Sequence, residues 1–285
     1  MIQNSNLFIY SYHSFKKKND TTQKYYKKEI CPHLDFGKIH KNTKVKVYQV
    51  VAAILYRLKT GCQWRELPMK QFFNTHYKWQ SVYYHFQKWC KNGSWAKVWR
   101  ILLNKYQHIL DLSNVQLDGT HTPVKRGGKA VGYQKRKKSK TTNTLILADN
   151  QGIPIACSEP VAGNHNDAYR LVETFSRMKK SLEESGISLK GIFLNADAGF
   201  DTKDFRLFCY ANDIFDNICE NKRNGAIHNS QTIFDKKLYE NRFVIERTNA
   251  WLDAFKAVLI RFETNDLHWK SLLLLAFSVI LLRKL

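Results

Sequence analysis

Three acidic residues stand where a folded chain can gather them. Asp118 closes the apolar run Val115-Gln116-Leu117, and Asp197 closes the run from Gly191 to Ala196. Glu246 shares a segment with Tyr239 and Arg242, and offsets of three and four residues put all three on one face of a helix. Carboxylates brought together at strand ends and a neighbouring helix repel one another unless a cation lies between them. Mg²⁺ is a hard, oxygen-preferring ion that keeps several waters and suits such a site. Two such ions about 3.5–4 Å apart activate an attacking oxygen and stabilise a leaving one in phosphoryl transfer. Each acid also has a plainer reading. Asp118-Gly119 is a common turn dipeptide, Asp197 before Ala-Gly suits a cap, and Arg242 with Glu246 makes an i,i+4 ion pair. Spacing alone leaves both readings open.

The elements that would position these residues fall into two textures. From Val47, the residues Val50, Val51, Ile54, Leu55 and Leu58 follow a helical period that Gly61 stops. Ser81 is placed to cap a second helix carrying Val82, Phe86 and Trp89, ended by Asn92-Gly93; Ser94 is placed to cap a third carrying Trp95, Val98, Trp99, Leu102 and Tyr106. Three short helices in a basic setting suggest a helix-turn-helix-like DNA module; a plain helical bundle is the alternative. After about residue 112 strands take over. The run Thr144 to Ala148, the turn signal Asp149-Asn150-Gln151-Gly152 and the run Ile153 to Val161 predict a hairpin. Asn166 or Asp167 is placed to cap a helix reaching Glu184, another helix follows Asp201, and a long one spans about 238–259. Strands followed by helices, with one strand returning between helices, predict an α/β fold with a mixed sheet.

Composition narrows the partners. The 285 residues carry 46 Lys and Arg against 24 Asp and Glu, a formal charge of +22. A hydrophobic fraction of 44% excludes wholesale disorder. Such a basic chain points to nucleic acid or an anionic membrane face. The longest apolar stretch, Ser271 to Leu282, is much shorter than the roughly 20 residues a spanning helix needs. Six scattered cysteines without a CxxC pair read as reduced thiols of a cytosolic protein. Residues 1–40 show no periodicity and read as a basic, unpacked arm, followed by a helical domain at 41–111 and a catalytic domain at 112–285.

Several ordered motifs carry a family resemblance. Leu117-Asp118-Gly119-Thr120, NADAGFD from Asn195 to Asp201, and YENRFVIERTNAWL from Tyr239 to Leu252 together resemble the DDE transposases of bacterial insertion sequences, within the insertion-sequence four/five superfamily. The stretches TGCQWRELP (Thr60 to Pro68) and KWQSVYYHFQKW (Lys78 to Trp89) are similar to the helical domain preceding the catalytic core in that group. The resemblance implies an RNase H-like core whose triad, here Asp118, Asp197 and Glu246, is both catalytic and the ligand set for two Mg²⁺ or Mn²⁺ ions. It implies hydrolysis at the ends of an insertion sequence, then attack of the freed 3′-OH on target DNA. Tyr239 and Arg242 would position phosphates. The family signature often continues with Lys or Arg seven residues after the Glu; Asp253 stands there, with Lys256 three residues on as a substitute on another face.

The remaining cations fit a polyanionic partner. Lys125, Arg126, Lys129, Lys135, Arg136, Lys137, Lys138 and Lys140 lie in one stretch without an acid, with Tyr133 as a stacking face and Gly127, Gly128 and Gly132 lending freedom. Beside Asp118, such a loop could follow a phosphate backbone; a solvated hairpin loop is the plainer reading. Lys78 and Lys88 are further candidate DNA contacts. His165, in GNHND, reads as a turn residue and Arg247 as structural or exposed. Two alternatives to a transposase acting as a dimer on double-stranded DNA stay open: a metal-dependent nuclease of the same fold and a non-catalytic DNA-binding remnant. A membrane partner is not expected, because there is neither a spanning segment nor a basic amphipathic helix with a wide apolar face.

Overall fold

A computed structural model describes residues 25–37, 44–221 and 234–285. The described residues group into two compact units, one of 25–57 and 62–94, the other of 58–61 and 95–284.

The first unit is helical and rich in rings. Helix α1 (Val47–Thr60) buries Val50, Val51, Ile54 and Leu55, as its period predicts, and Gly61 ends it at φ +68. Helix α2 (Trp79–Lys91) buries Val82, Phe86, Trp89 and Cys90. It begins two residues before Ser81, whose amide bonds the Lys78 carbonyl, so Ser81 is not its cap. Trp64 packs on Phe86 and Tyr83 at 4.9 and 5.0 Å. The expected unpacked arm is only part of residues 1–40. Residues 25–29 are helical, Ile30, Leu34 and Phe36 are buried, and Phe36 stacks on His85 at 4.3 Å. These apolar side chains bury surface that an unpacked arm would leave in water. The rest of the arm lies outside the described residues.

Helix α3 (Ser94–Lys105) buries Trp95, Val98, Trp99 and Leu102 of the expected stripe, while Tyr106 falls past its end and is half-buried; from Trp95 the helix belongs to the second unit. Trp99 donates to the Ile155 carbonyl at 3.3 Å and meets Phe277 edge-on. The division therefore falls at Trp95 and not at residue 112.

The second unit is a seven-stranded mixed sheet flanked by helices. Its elements are β1 (Asn114–Pro123), β2 (Gly132–Gln134), β3 (Ser139–Asp149), β4 (Pro154–Cys157), β5 (Val161–Ala162), α4 (Leu171–Glu183), β6 (Phe193–Ala196), α5 (Lys203–Ala211), β7 (Phe215–Ile218), α6 (Lys236–Glu240), α7 (Val244–Asp253), α8 (Lys256–Leu259) and α9 (Asp266–Leu282). The strand order is β2-β3-β1-β6-β7, with β4 and β5 also on β3. Strand β1 runs antiparallel to β3 and parallel to β6, and β6 runs parallel to β7. This is the RNase H-like arrangement expected. The β3–β4 hairpin is as predicted, with Asp149 accepting from the Gln151 and Ile153 amides inside its turn.

Three local expectations are corrected. Asp118-Gly119 is not a turn: both residues lie inside β1, opposite Ile146 and Leu145 of β3. Helix α4 starts at Leu171 behind Arg170, not behind Asn166 or Asp167, because Asp167 accepts from Asn143 instead. The single long helix over 238–259 is three pieces, with a 3₁₀ turn (Asn241–Phe243) between α6 and α7. Helix α9 is buried on nearly all sides and is core; among the described residues no helix is long and apolar enough to cross a membrane. All six cysteines are free.

Candidate active site

Backbone register brings two of the acids together. Leu117 pairs with Ala196, and Ala196 pairs with Ile218. The next residues on the three parallel strands, Asp118, Asp197 and Cys219, therefore share one level, on strands about 4.8 Å apart. This level lies at the carboxyl ends of β6 and β7, where open α/β sheets bind ligands. The Asp118 carboxyl is pushed up to about 6. Burial is the main cause; the Gly119 amide opposes it, the charges of Asp197 and Asp167 reinforce it, and Arg242 pulls back. Asp197 accepts from the Gly199 amide at 2.8 Å, so its plainer role as a cap is also real.

Below the acids runs a row of buried amides. Gln116, Asn195 and Asn217 are Cα partners across β1, β6 and β7, and none is exposed. Asn217 donates to Asn195 at 2.7 Å and to the Asp235 carbonyl at 2.9 Å; Asn195 donates to the Leu238 carbonyl at 3.0 Å. The Asp235 amide returns a bond to Asn217 at 2.9 Å. Through these bonds the sheet itself holds α6, and hence Tyr239, against the strand ends. Burial raises the Tyr239 phenol, with Arg242 opposing. The Arg242 guanidinium lies 5.5 Å from the ring centres of both Tyr239 and Phe243.

Glu246 does not join the pair. It is exposed, in the first turn of α7, and among the described residues no three His, Cys, Asp or Glu side chains stand close enough to hold one metal ion. A 3₁₀ turn at 241–243 separates Glu246 from Tyr239. At 3.0 residues per turn each step rotates about 120° rather than 100°, which turns α7 relative to α6 from the setting one continuous α-helix would give. Helix α7 nevertheless lies along β1: Asn249, one turn beyond Glu246, accepts from Thr120 at 3.0 Å. Arg247, exposed as expected, reaches the Gln151 carbonyl at 3.3 Å.

Asp167, whose charge acts on Asp118, was read only as a helix cap, and its partners Asn143 and His121 had no role in the sequence reading. Asp167 accepts from Asn143 at 2.7 Å, lies 3.7 Å from His121, and fills the space a Cβ on Gly119 would need. The available signal was a glycine inside an apolar strand, which marks close approach of another group. His165 stacks on Tyr169 at 3.7 Å and stays a turn residue.

The cations divide. Lys125, Arg126, Lys129, Lys135, Arg136, Lys137, Lys138 and Lys140 are all exposed, as is the Tyr133 ring. Lys137 donates to the His121 carbonyl at 2.7 Å, which leans one cation back toward β1. In the first unit, Lys78 precedes α2, and Lys88 lies 3.3 Å from Asp35. Asp253 and Lys256 are both exposed, and the Lys256 backbone and Cβ pack against Gly61.

Comparison with known proteins places the chain. No curated protein matches it. Among solved structures it is similar to "Mos1 transposase paired-end complex with left transposon end", at 13% identity over 81% of this chain and 76% of that one, with a TM-score of 0.29. "Crystal structure of the Mos1 mariner paired end complex with Mn" is similar at 13% identity, 81% and 76% coverage, and a TM-score of 0.28. Both likenesses are slight. Residues 28–99 match the family described as "Putative transposase of IS4/5 family", and residues 117–277 match "DDE superfamily endonuclease". The second match covers more than half of the 285 residues, so the chain belongs to the DDE endonuclease superfamily and is a DDE-type transposase of the IS4/5 kind.

Proposed function

We propose that this transposase binds the ends of an insertion sequence, cleaves DNA strands there and joins the resulting 3′-OH to target DNA, acting as a dimer on double-stranded DNA. The observation that carries the reading is the Asp118–Asp197 pair, set side by side by parallel register, with Asp118 holding its proton more tightly than a free carboxyl. Two adjacent hard-oxygen donors fit Mg²⁺, which is commonly held by one or two carboxylates together with substrate phosphate and water. When bound there, divalent metal supplies a strong nucleophile and stabilises the leaving oxygen. Asp118 and Asp197 would hold the metal, and Glu246 would complete the set only by moving inward with α7. Tyr239 and Arg242, anchored by the amide row, would hold a phosphate beside the acids. Lys125, Arg126, Lys135, Arg136, Lys137 and Lys138 would follow the duplex backbone, and the helical unit, with Lys78 and Lys88, would read the element's end.

The test is a cleavage and joining assay on a labelled element-end duplex with Mg²⁺ or Mn²⁺. Asp118→Asn, Asp197→Asn and Glu246→Gln are each expected to lose several kcal/mol of transition-state stabilisation, roughly a thousandfold in rate or more, while binding the duplex as the wild type does. Wild-type cleavage by either Asp variant would end the assignment of the pair. Full activity of Glu246→Gln would remove that residue from the triad. Cleavage by the wild type without joined product would make the protein a nuclease of the same fold.

A further inference from the structure

The loop that carries Lys125, Arg126 and Lys129 is clasped rather than loose. Its clasp is Arg261, which is fully buried. The Arg261 amide donates to the Pro123 carbonyl at 2.9 Å, the Lys125 amide to the Arg261 carbonyl at 3.0 Å, and the Lys129 amide to the Thr264 carbonyl at 3.1 Å. The guanidinium then reaches across. Nη2 donates to the Lys129 carbonyl at 2.9 Å, and Nη1 to the Ala130 carbonyl at 3.4 Å and the Thr142 hydroxyl at 2.6 Å. Nε donates to the Glu263 carbonyl at 2.8 Å, and the Thr142 hydroxyl donates to the Ala130 carbonyl. Two consecutive loop carbonyls are thus turned inward onto one cation, which the left-handed backbone of Ala130 (φ +55) permits. Gly128, at φ +114, lies so near the Thr264 backbone that a Cβ has no room. The glycines here serve close approach, not slack.

We propose that Arg261 is a positioning residue for DNA binding. It touches no DNA, but fixes Lys125, Arg126 and Lys129 as a preset array against one stretch of phosphate backbone. The proposal rests on the reading that this loop contacts DNA. Its physical basis is preorganisation: a loop already ordered in the free protein loses less conformational freedom on binding than a loose one. It also gives a reason for a buried cation whose side-chain hydrogen bonds go to neutral oxygens.

The experiment measures affinity of the full chain for an element-end duplex across a salt series. Four proteins are compared: wild type, the triple variant Lys125→Ala/Arg126→Ala/Lys129→Ala, Arg261→Met, and the two combined. Loss of three phosphate contacts flattens the slope of log K against log salt by about 2.7. Arg261→Met is expected to flatten it by at least half as much as the triple variant does, and to add nothing further in combination. Gly128→Val, which lifts the loop without removing a buried charge, is expected to behave like Arg261→Met and decides the matter if that variant does not fold. Wild-type slope and affinity in Arg261→Met or Gly128→Val, beside a flattened triple variant, would overturn the proposal and leave Arg261 a role in folding alone. An unchanged slope in the triple variant would instead sink the reading that the loop tracks DNA, and the proposal with it.

Discussion

Two buried arginines brace the two ends of the catalytic unit, and they are satisfied in opposite ways. Arg206, on α5, donates to Asp201 at 2.8 Å, to Asp216 at 2.5 Å and to the Ile218 carbonyl at 2.9 Å. It ties the turn after Asp197 to β7. Burial works against its charge, yet the two aspartates outweigh that and hold its pKa above the ordinary value. Arg261, at the basic end, contacts carbonyls and a hydroxyl. There burial prevails and pulls the pKa down, although Asp266 and Glu263 lie near enough to oppose it. The acidic end is thus fixed by strand register and cross-braced by ion pairs. The basic end is fixed by carbonyls gathered on one guanidinium.

That contrast can be broken first at Arg206. Replacing it with Met leaves Asp201 and Asp216 facing each other without their cation, and should cost about 3–5 kcal/mol in urea unfolding. Arg261→Met, which strands only neutral acceptors, should cost less in the same measurement; an equal loss would erase the distinction. A second test turns on Asp118. Its folded pKa, about 6, lies above the ordinary 3.8. The folded state therefore binds the proton more tightly, and the penalty is absent below about pH 4, grows toward pH 6 and is complete above it. Asp118→Asn should stabilise the metal-free protein by about 2–3 kcal/mol at pH 7.5 and by almost nothing at pH 4, as read in unfolding curves with chelator. An equal gain at both pH values would point to packing instead of charge. The smallest effect is expected at Lys137, an exposed cation. Lys137→Ala should weaken duplex binding a few-fold, flatten the salt slope by about 0.9 and leave the unfolding midpoint unchanged. A stability loss there would mean that its bond to the His121 carbonyl matters more to the fold than to DNA.

Much of the sheet was legible because its strands are plain apolar runs: β1 before Asp118, the β3–β4 hairpin around Asp149 to Gly152, and β6 before Asp197 each follow from residue types. Strand β7 was not, since Asp216 and Asn217 interrupt its pattern; both are polar for a reason that only packing reveals, one meeting Arg206 and the other closing the amide row. The break between α6 and α7 was hidden too. A Tyr-x-x-Arg-x-x-x-Glu spacing looks the same whether one turn tightens to 3₁₀ or not, so the residue pattern gives no sign of it. Arg206 and Arg261 were invisible for a simpler reason. A lone arginine in a very basic chain reads as surface charge, and only the fold tells which of the 46 cations are spent internally.

Gly119 carries one more consequence. Because the Asp167 carboxylate occupies the volume beside its Cα, this position has no room for a side chain while Asp167 keeps its bond to Asn143 and its place near His121. Random mutagenesis at residue 119 is therefore expected to select variants in which the side chain at 167 has swung aside or shortened. The two sites, nearly fifty residues apart along the polypeptide, are thus coupled in what each can accept.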